Sequence, residues 1–148
     1  MPARYFLDTN VFVYSFDRRD RRKQRLAEKL VEQALDDHLG VISTQVAQEF
    51  LNLATGKFAR RMSHTESRAY LDGVLAPLCE VFPTIALYRE ALDLHTTSRY
   101  AFYDALIIAA ALEAECGVLY SEDLQHGQTI RQLRIVNPFA AESTRVRS

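Results

Sequence analysis

Four acidic residues stand at positions where a carboxylate can do chemistry. Asp8 ends the apolar run in YFLDTN, Glu49 lies in TQVAQEFLNLA, Asp104 opens YDALIIAAALEAE, and Asp123 sits in YSEDLQHG. Each also has a plainer reading. Asp8 can form a turn or cap a helix, although Thr9 and Asn10 beside it are equipped for the same task. Asp104 at the head of an apolar helix satisfies free amide groups and suits the helix dipole. Ser121, Glu122 and Asp123 can all serve a tight turn, and the adjacent acids leave open which of them faces inward. Glu49 is the most informative. It lies three residues after Val46 and four before Leu53, on the apolar stripe that Val46, Phe50 and Leu53 define. A carboxylate there either reaches solvent along the helix edge or is paired, protonated or bound to a metal.

Taken together, four carboxylates cannot stay ionised side by side without cations. No His or Cys accompanies them, so the natural partners are hard divalent ions with oxygen ligands, Mg²⁺ or Mn²⁺. A carboxylate-held ion with open or watered positions activates water and stabilises charge on a phosphate. Two such ions roughly 3.5–4 Å apart clamp both oxygens of an in-line displacement. The chemistry this set predicts is phosphodiester hydrolysis.

That chemistry requires the four residues to converge, and the chain alternates elements in a way that can bring them together. Strands are predicted over residues 5–7, 40–43, 80–82, 117–120 and 134–136. Helices are predicted over 11–16, 20–36, 44–55, 63–76, 84–97 and 103–115. In the helix at 20–36, Leu26, Leu30, Ala34 and Ala27, Val31, Leu35 form adjacent apolar rows, and Gly40 is placed to end it. Ser63-His64-Thr65-Glu66 matches a capping box. The helix at 103–115 is apolar on nearly every side, as a helix within the core would be. Strands separated by helices imply right-handed crossovers and a mostly parallel sheet with helices on both faces. Ligands of such folds sit beyond the carboxyl ends of the strands, where the strand order reverses. The four acids meet there if the first and fourth strands are neighbours.

The 148 residues suit one domain over 1–140, with AESTRVRS at 141–148 as a loose tail. With 48% apolar and 25% charged residues the chain reads as a soluble globular protein, and a net charge of -1 gives no global basic field. Cys79 and Cys116 show no metal-type spacing and read as free thiols in a reducing compartment. No apolar run opens the chain as a signal peptide would, and none approaches the roughly 20 residues of a membrane span. The expectation is a cytoplasmic protein with no membrane partner.

The matching pieces LDTN, AQEF, YDALIIAAA and SEDLQHG resemble the PIN-domain nuclease family, and within it the VapC-type toxins of type II toxin–antitoxin systems. The resemblance runs from LDTN to IVNPF. It implies a three-layer α/β/α sandwich with a mostly parallel, roughly five-stranded sheet. It also implies a Mg²⁺- or Mn²⁺-dependent endoribonuclease with Asp8, Glu49, Asp104 and Asp123 as its catalytic, metal-holding residues. Further implications are a homodimer and a small cognate VapB-like antitoxin that inserts a segment into the groove. Ser121 matches the hydroxyl residue the family places two before its last acid. That favours Asp123 over Glu122 as ligand, with Glu122 as an extra or substitute. Thr9 and Asn10 match the family's polar residues beside the first acid and would support the ligands.

The run from Asp17 to Arg25 contributes Arg18, Arg19, Arg21, Arg22, Lys23 and Arg25, the densest positive cluster in the chain. It is either a solvated helix face or a phosphate-binding one. Cations in a first helical turn oppose the dipole by about 0.3–1 kcal/mol each, a conflict that suggests RNA contact. Lys57, Arg60 and Arg61 form a second group that could flank a groove. Tyr100, Phe102 and Tyr103 before Asp104 suit packing, with one exposed ring able to stack on an unpaired base. His126 is the histidine nearest the site in sequence. The helix at 63–76 presents Tyr70, Leu71, Val74 and Leu75 to the core or to a dimer surface. A haloacid-dehalogenase-like phosphatase is disfavoured because Asn10 replaces the second acid of DxDxT. A receiver-like domain lacks its extra acids and its late lysine. A housekeeping PIN-domain RNA-processing nuclease, or a non-catalytic PIN-like RNA-binding module, remains the alternative to a toxin.

Overall fold

Tyr5–Leu7 (β1) is apolar and buried at every residue, the condition of a central parallel strand covered on both faces. In the computed structural model, which describes residues 3–140, β1 pairs in parallel with Gly40–Ser43 (β2) and with Val118–Tyr120 (β4). Cys79–Val81 (β3) pairs in parallel with β2, and Leu133–Val136 (β6) with β4. The first and fourth strands are therefore neighbours, as convergence of the acids requires. The order is β3-β2-β1-β4-β6-β5, so the direction of winding reverses between β1 and β4.

The sheet has six strands rather than the five expected. Thr129–Ile130 (β5) pairs antiparallel with β6 through a tight turn at Arg131 and Gln132. Arg131 adopts φ 55 there, with no Gly or Asn to announce the turn. A two-residue strand is too short for any periodicity to reveal. The tail expected at 141–148 lies outside the described residues.

The helices are Thr9–Tyr14 (α1), Arg21–Asp37 (α2), Thr44–Gly56 (α3), His64–Tyr70 (α4), Ala76–Leu78 (α5), Ile85–Ser98 (α6) and Phe102–Glu113 (α7). Asp20 caps α2 by accepting from the Lys23 N–H, and this carboxylate offsets the dipole conflict of the basic first turn. The capping box at Ser63 and Glu66 is present and opens α4. The single helix expected over 63–76 instead widens to a π-helical stretch, Leu71–Leu75, before α5. Pro77 explains this: it has no N–H to return to the previous turn, and its ring needs room there.

Gly40 does not end α2. His38 takes the left-handed cap position at φ 59, and Gly40 begins β2. α7 is buried from Ala105 to Ala111, confirming it as a helix inside the core. β1 and β2 are buried throughout, so helices cover both faces of the sheet in a three-layer α/β/α arrangement. Phe50 stacks on Tyr70 at 4.9 Å between centroids, and Phe16 and Phe58 close this aromatic cluster. Of the face expected on this segment, Leu75 is buried and Tyr70, Leu71 and Val74 are half-buried against the core. Among the described residues no helix is long and apolar enough to cross a membrane.

Candidate active site

Asp8 extends the sheet by one residue, its N–H donating to Tyr120 O at 3.0 Å across from β4. It is itself the N-cap of α1, accepting from the Thr9 N–H at 2.7 Å through Oδ1. The capping role expected of Thr9 and Asn10 thus falls to Asp8, and those two side chains turn outward to other acids. Asp8 Oδ2 accepts from Ser121 Oγ at 2.7 Å. Burial pushes the Asp8 carboxyl up to about 6. The Ser121 and Thr9 hydrogen bonds oppose that shift, while the charges of Asp123 and Glu49 add to it.

Glu49 is half-buried on α3 and paired by hydrogen bonds. Thr9 Oγ1 donates to Oε1 at 2.7 Å, and Gln45 Nε2 donates to Oε2 at 3.1 Å. Asp104 lies in the first turn of α7, whose N-cap is Ala101, so it adds charge to that helix end without capping it. Burial raises its carboxyl, and the negative charges of Asp123 and Glu49 raise it further. Asp123 is exposed; Asn10 Nδ2 donates to its Oδ2 at 3.2 Å, and its own N–H donates to Ser121 Oγ at 3.2 Å. Glu122 also lines the cleft but is held in an ion pair with Lys23 beside Tyr14. Asn10 also accepts from the Glu122 N–H at 3.3 Å, so one side chain fixes the turn that separates the two acids.

Asp8 and Asp104 thus each lie within reach of the charges of Asp123 and Glu49, at the point where the sheet reverses. Their donors are all oxygen, a set that fits a hard divalent cation. Among the described residues no three His, Cys, Asp or Glu side chains are gathered closely enough to hold an ion as they stand. The cleft above has a volume of 490 Å³ and is lined in part by Thr9, Asn10, Arg19, Glu49, Glu122 and Asp123. Neither Asp8, which is buried, nor Asp104 is among its lining residues.

The basic residues divide. Arg19 lines the cleft and is hydrogen-bonded to Asp17 at 3.1 Å. Lys23 is engaged by Glu122 and lies over the Tyr14 ring. Arg22 donates to the carbonyls of Phe139 and Ala140. Arg18, Arg21 and Arg25 are exposed, as are Lys57, Arg60 and Arg61. Arg60 approaches Glu66 at 3.6 Å, and none of the latter three lines the cleft.

Tyr100 packs through its hydroxyl, which accepts from the Gln125 N–H at 3.0 Å. His126 Nδ1 accepts from the Asn137 N–H at 2.9 Å and so ties down a loop. Gln45 escaped the reading of the sequence, although its place four residues before Glu49 on one helix is the spacing at which such side chains meet.

A family model for the PIN domain matches residues 5–130. No curated protein matches the sequence significantly. Similar solved structures include a toxin–antitoxin complex from Klebsiella pneumoniae, with TM-score 0.65 and 19% identity, covering 91% of this chain and 98% of that one. FitAcB from Neisseria gonorrhoeae gives TM-score 0.59 and 19% identity over 93% of this chain and 99% of the other. VapBC2 from Rickettsia felis, bound to a DNA fragment from its promoter, gives 0.62 and 19% over 88% and 96%. At such identity the likeness is one of fold, and it agrees with the family match: the chain belongs to the PIN-domain family, whose members are in general nucleases.

Proposed function

We propose that this protein is a metal-dependent endoribonuclease and the toxin of a toxin–antitoxin pair. The observation that carries the nuclease reading is the hydrogen-bond network joining the acids. Ser121 links Asp8 to the Asp123 backbone, Asn10 holds Asp123, and Thr9 and Gln45 hold Glu49. In this reading Asp8, Glu49, Asp104 and Asp123 hold Mg²⁺ or Mn²⁺. The bound metal supplies an activated water and charge stabilisation at the phosphate.

The protein's own side chains do the rest. Ser121 and the Thr9 amide favour the ionised form of a buried Asp8. Thr9 and Gln45 fix both oxygens of Glu49, and Asn10 holds Asp123 while Lys23 engages Glu122. Arg19 at the cleft, with exposed Arg18, Arg21 and Arg25 near it in sequence, supplies phosphate contacts that position RNA. Lys57, Arg60 and Arg61, exposed but outside the cleft lining, are a second group available to RNA phosphates.

The toxin role is supported by fold likeness to a structure described as a toxin–antitoxin complex and to a VapBC2 structure. It carries with it a VapB-like antitoxin partner, a homodimer and a cytoplasmic location, with residues 1–140 as one domain.

The test is cleavage of RNA by the purified protein with Mg²⁺ or Mn²⁺ and in excess chelator, for wild type, Asp8→Asn and Asp104→Asn. Metal-dependent cutting by wild type alone is expected. Full activity in chelator or in either variant overturns the reading. Induced expression of wild type against Asp8→Asn then tests toxicity, and equal growth argues for a housekeeping nuclease.

A further inference from the structure

Tyr103 is the most exposed large apolar side chain among the described residues, at 68%. It precedes Asp104 directly, in the first turn of α7. Its backbone is nonetheless held firmly. Gln45 Nε2 donates to the Tyr103 carbonyl at 3.1 Å, and the same nitrogen donates to Glu49 Oε2 at 3.1 Å. The Gln45 Oε1 atom is buried without a partner. Rotating the amide would set that oxygen against a carboxylate and a carbonyl, so its orientation is fixed by what it donates to. The half-buried Phe102 ring stands edge-to-face with Tyr103, 5.8 Å between centroids, and buttresses it.

A rigidly based, water-exposed aromatic ring at the margin of an acidic site has a clear physical use. The carboxylates repel a phosphate backbone wherever Arg19 does not offset them, so an uncharged contact beside them adds affinity without competing with either. A base face provides one, and stacking on an aromatic ring tolerates any base. Only an unpaired base has a free face, because A-form duplexes enclose theirs.

We propose that Tyr103 is a stacking platform for an unpaired base of the RNA next to the cut site, and that Gln45 fixes the ring in register with Glu49 and Asp104. The inference rests on the nuclease reading and names the side chain on which an unpaired base is held and the residue that sets its place.

The experiment measures binding of the full chain carrying Asp8→Asn to an unstructured RNA and to a duplex of the same length. Each RNA contains 2-aminopurine, whose fluorescence is quenched by stacking. Further replacing Tyr103 by Phe is expected to preserve affinity and quenching. Tyr103→Leu is expected to lose about tenfold in affinity for the single strand, to abolish the quench, and to leave duplex binding unchanged. Gln45→Met, with the ring intact, is expected to weaken the quench. Equal single-strand affinity in Tyr103→Leu overturns the proposal, as does an equal loss on duplex. Failure of the nuclease reading looks different: the parent binds neither RNA and wild type cuts none. If Tyr103→Leu instead loses only binding to a protein co-expressed with the chain, the ring is a protein contact and the proposal fails.

Discussion

Ser121 Oγ donates to Asp8 Oδ2 at 2.7 Å, and both residues are buried at the carboxyl ends of neighbouring strands. The contact opposes the desolvation that drives the Asp8 carboxyl up to about 6. An unfolded Asp titrates near ~3.9. The folded state therefore binds this proton more tightly. The associated stability is fully present below the unfolded value and is lost as pH rises through about 6. Above that pH the buried charge costs the metal-free protein up to about 3 kcal/mol. Asp8→Asn should accordingly raise Tm in chelator at about pH 7.5 and leave it nearly unchanged at about pH 4. Thermal melts at the two pH values check this, and an unchanged or lower Tm at the higher pH would refute it. Ser121→Ala should weaken Mn²⁺ binding more near pH 6 than near pH 8, because Asp8 then holds its proton to higher pH.

Thr9 Oγ1 donates to Glu49 Oε1 at 2.7 Å, joining the first turn of α1 to α3. A hydrogen bond to a charged group contributes about 1.5–3 kcal/mol. Thr9→Val keeps the shape and removes the donor, leaving Gln45 as the remaining contact. Mn²⁺ affinity, read by calorimetry, should fall roughly tenfold, with kcat falling and KM for RNA little changed. An unaltered affinity would mean that Glu49 needs no support from α1.

The two adjacent acids should separate by role. Glu122 is paired with Lys23, each side chain 23% exposed, whereas Asp123 is turned toward Asn10. Glu122→Gln is expected to cost about 1 kcal/mol of stability and to change cleavage only a few-fold. Asp123→Asn should reduce metal affinity and cleavage at least about tenfold with little change in Tm. A reversal of the two patterns would assign the ligand to Glu122.

What the sequence disclosed follows from how local each signal is. The capping box at Ser63 needs only four residues, and the unbroken apolar stretch of α7 can be read as buried without knowing its neighbours. Alternation of strands and helices implies a mostly parallel sheet but leaves the strand order open. The pairing of β1 with β4 therefore stands in the sequence only as a condition that the structure meets. By contrast, the Lys23–Glu122 pair and the Gln45 bridge to Tyr103 join residues far apart in the chain. No pattern predicts such contacts. Asp8 was ambiguous between cap and site because it serves as the cap while meeting Ser121 from the next strand. β5 escaped because its turn uses Arg131 where a hairpin ordinarily uses Gly or Asn.

Gly40 was misread for an instructive reason: its glycine is required by closeness rather than by a helix end. A Cβ added there would lie 2.3 Å from Ala34 Cβ and 3.4 Å from the Tyr5 ring, where α2 presses on β2. Replacing Gly by Ala usually stabilises by about 0.4–1 kcal/mol through the unfolded chain. Overpacking of this kind costs about 1–3 kcal/mol, so the clash wins. Gly40→Ala should lower Tm by roughly 2–4 °C for each kcal/mol lost. Gly56→Ala is the control, since nothing lies within 4 Å of a Cβ built there. It should be neutral or slightly stabilising at the end of α3. A Gly40→Ala protein as stable as wild type would show that α2 can lift from the sheet without loss. That outcome would also predict unchanged metal binding, because Asp8 sits at the opposite end of β1 from Tyr5, the residue paired with Gly40.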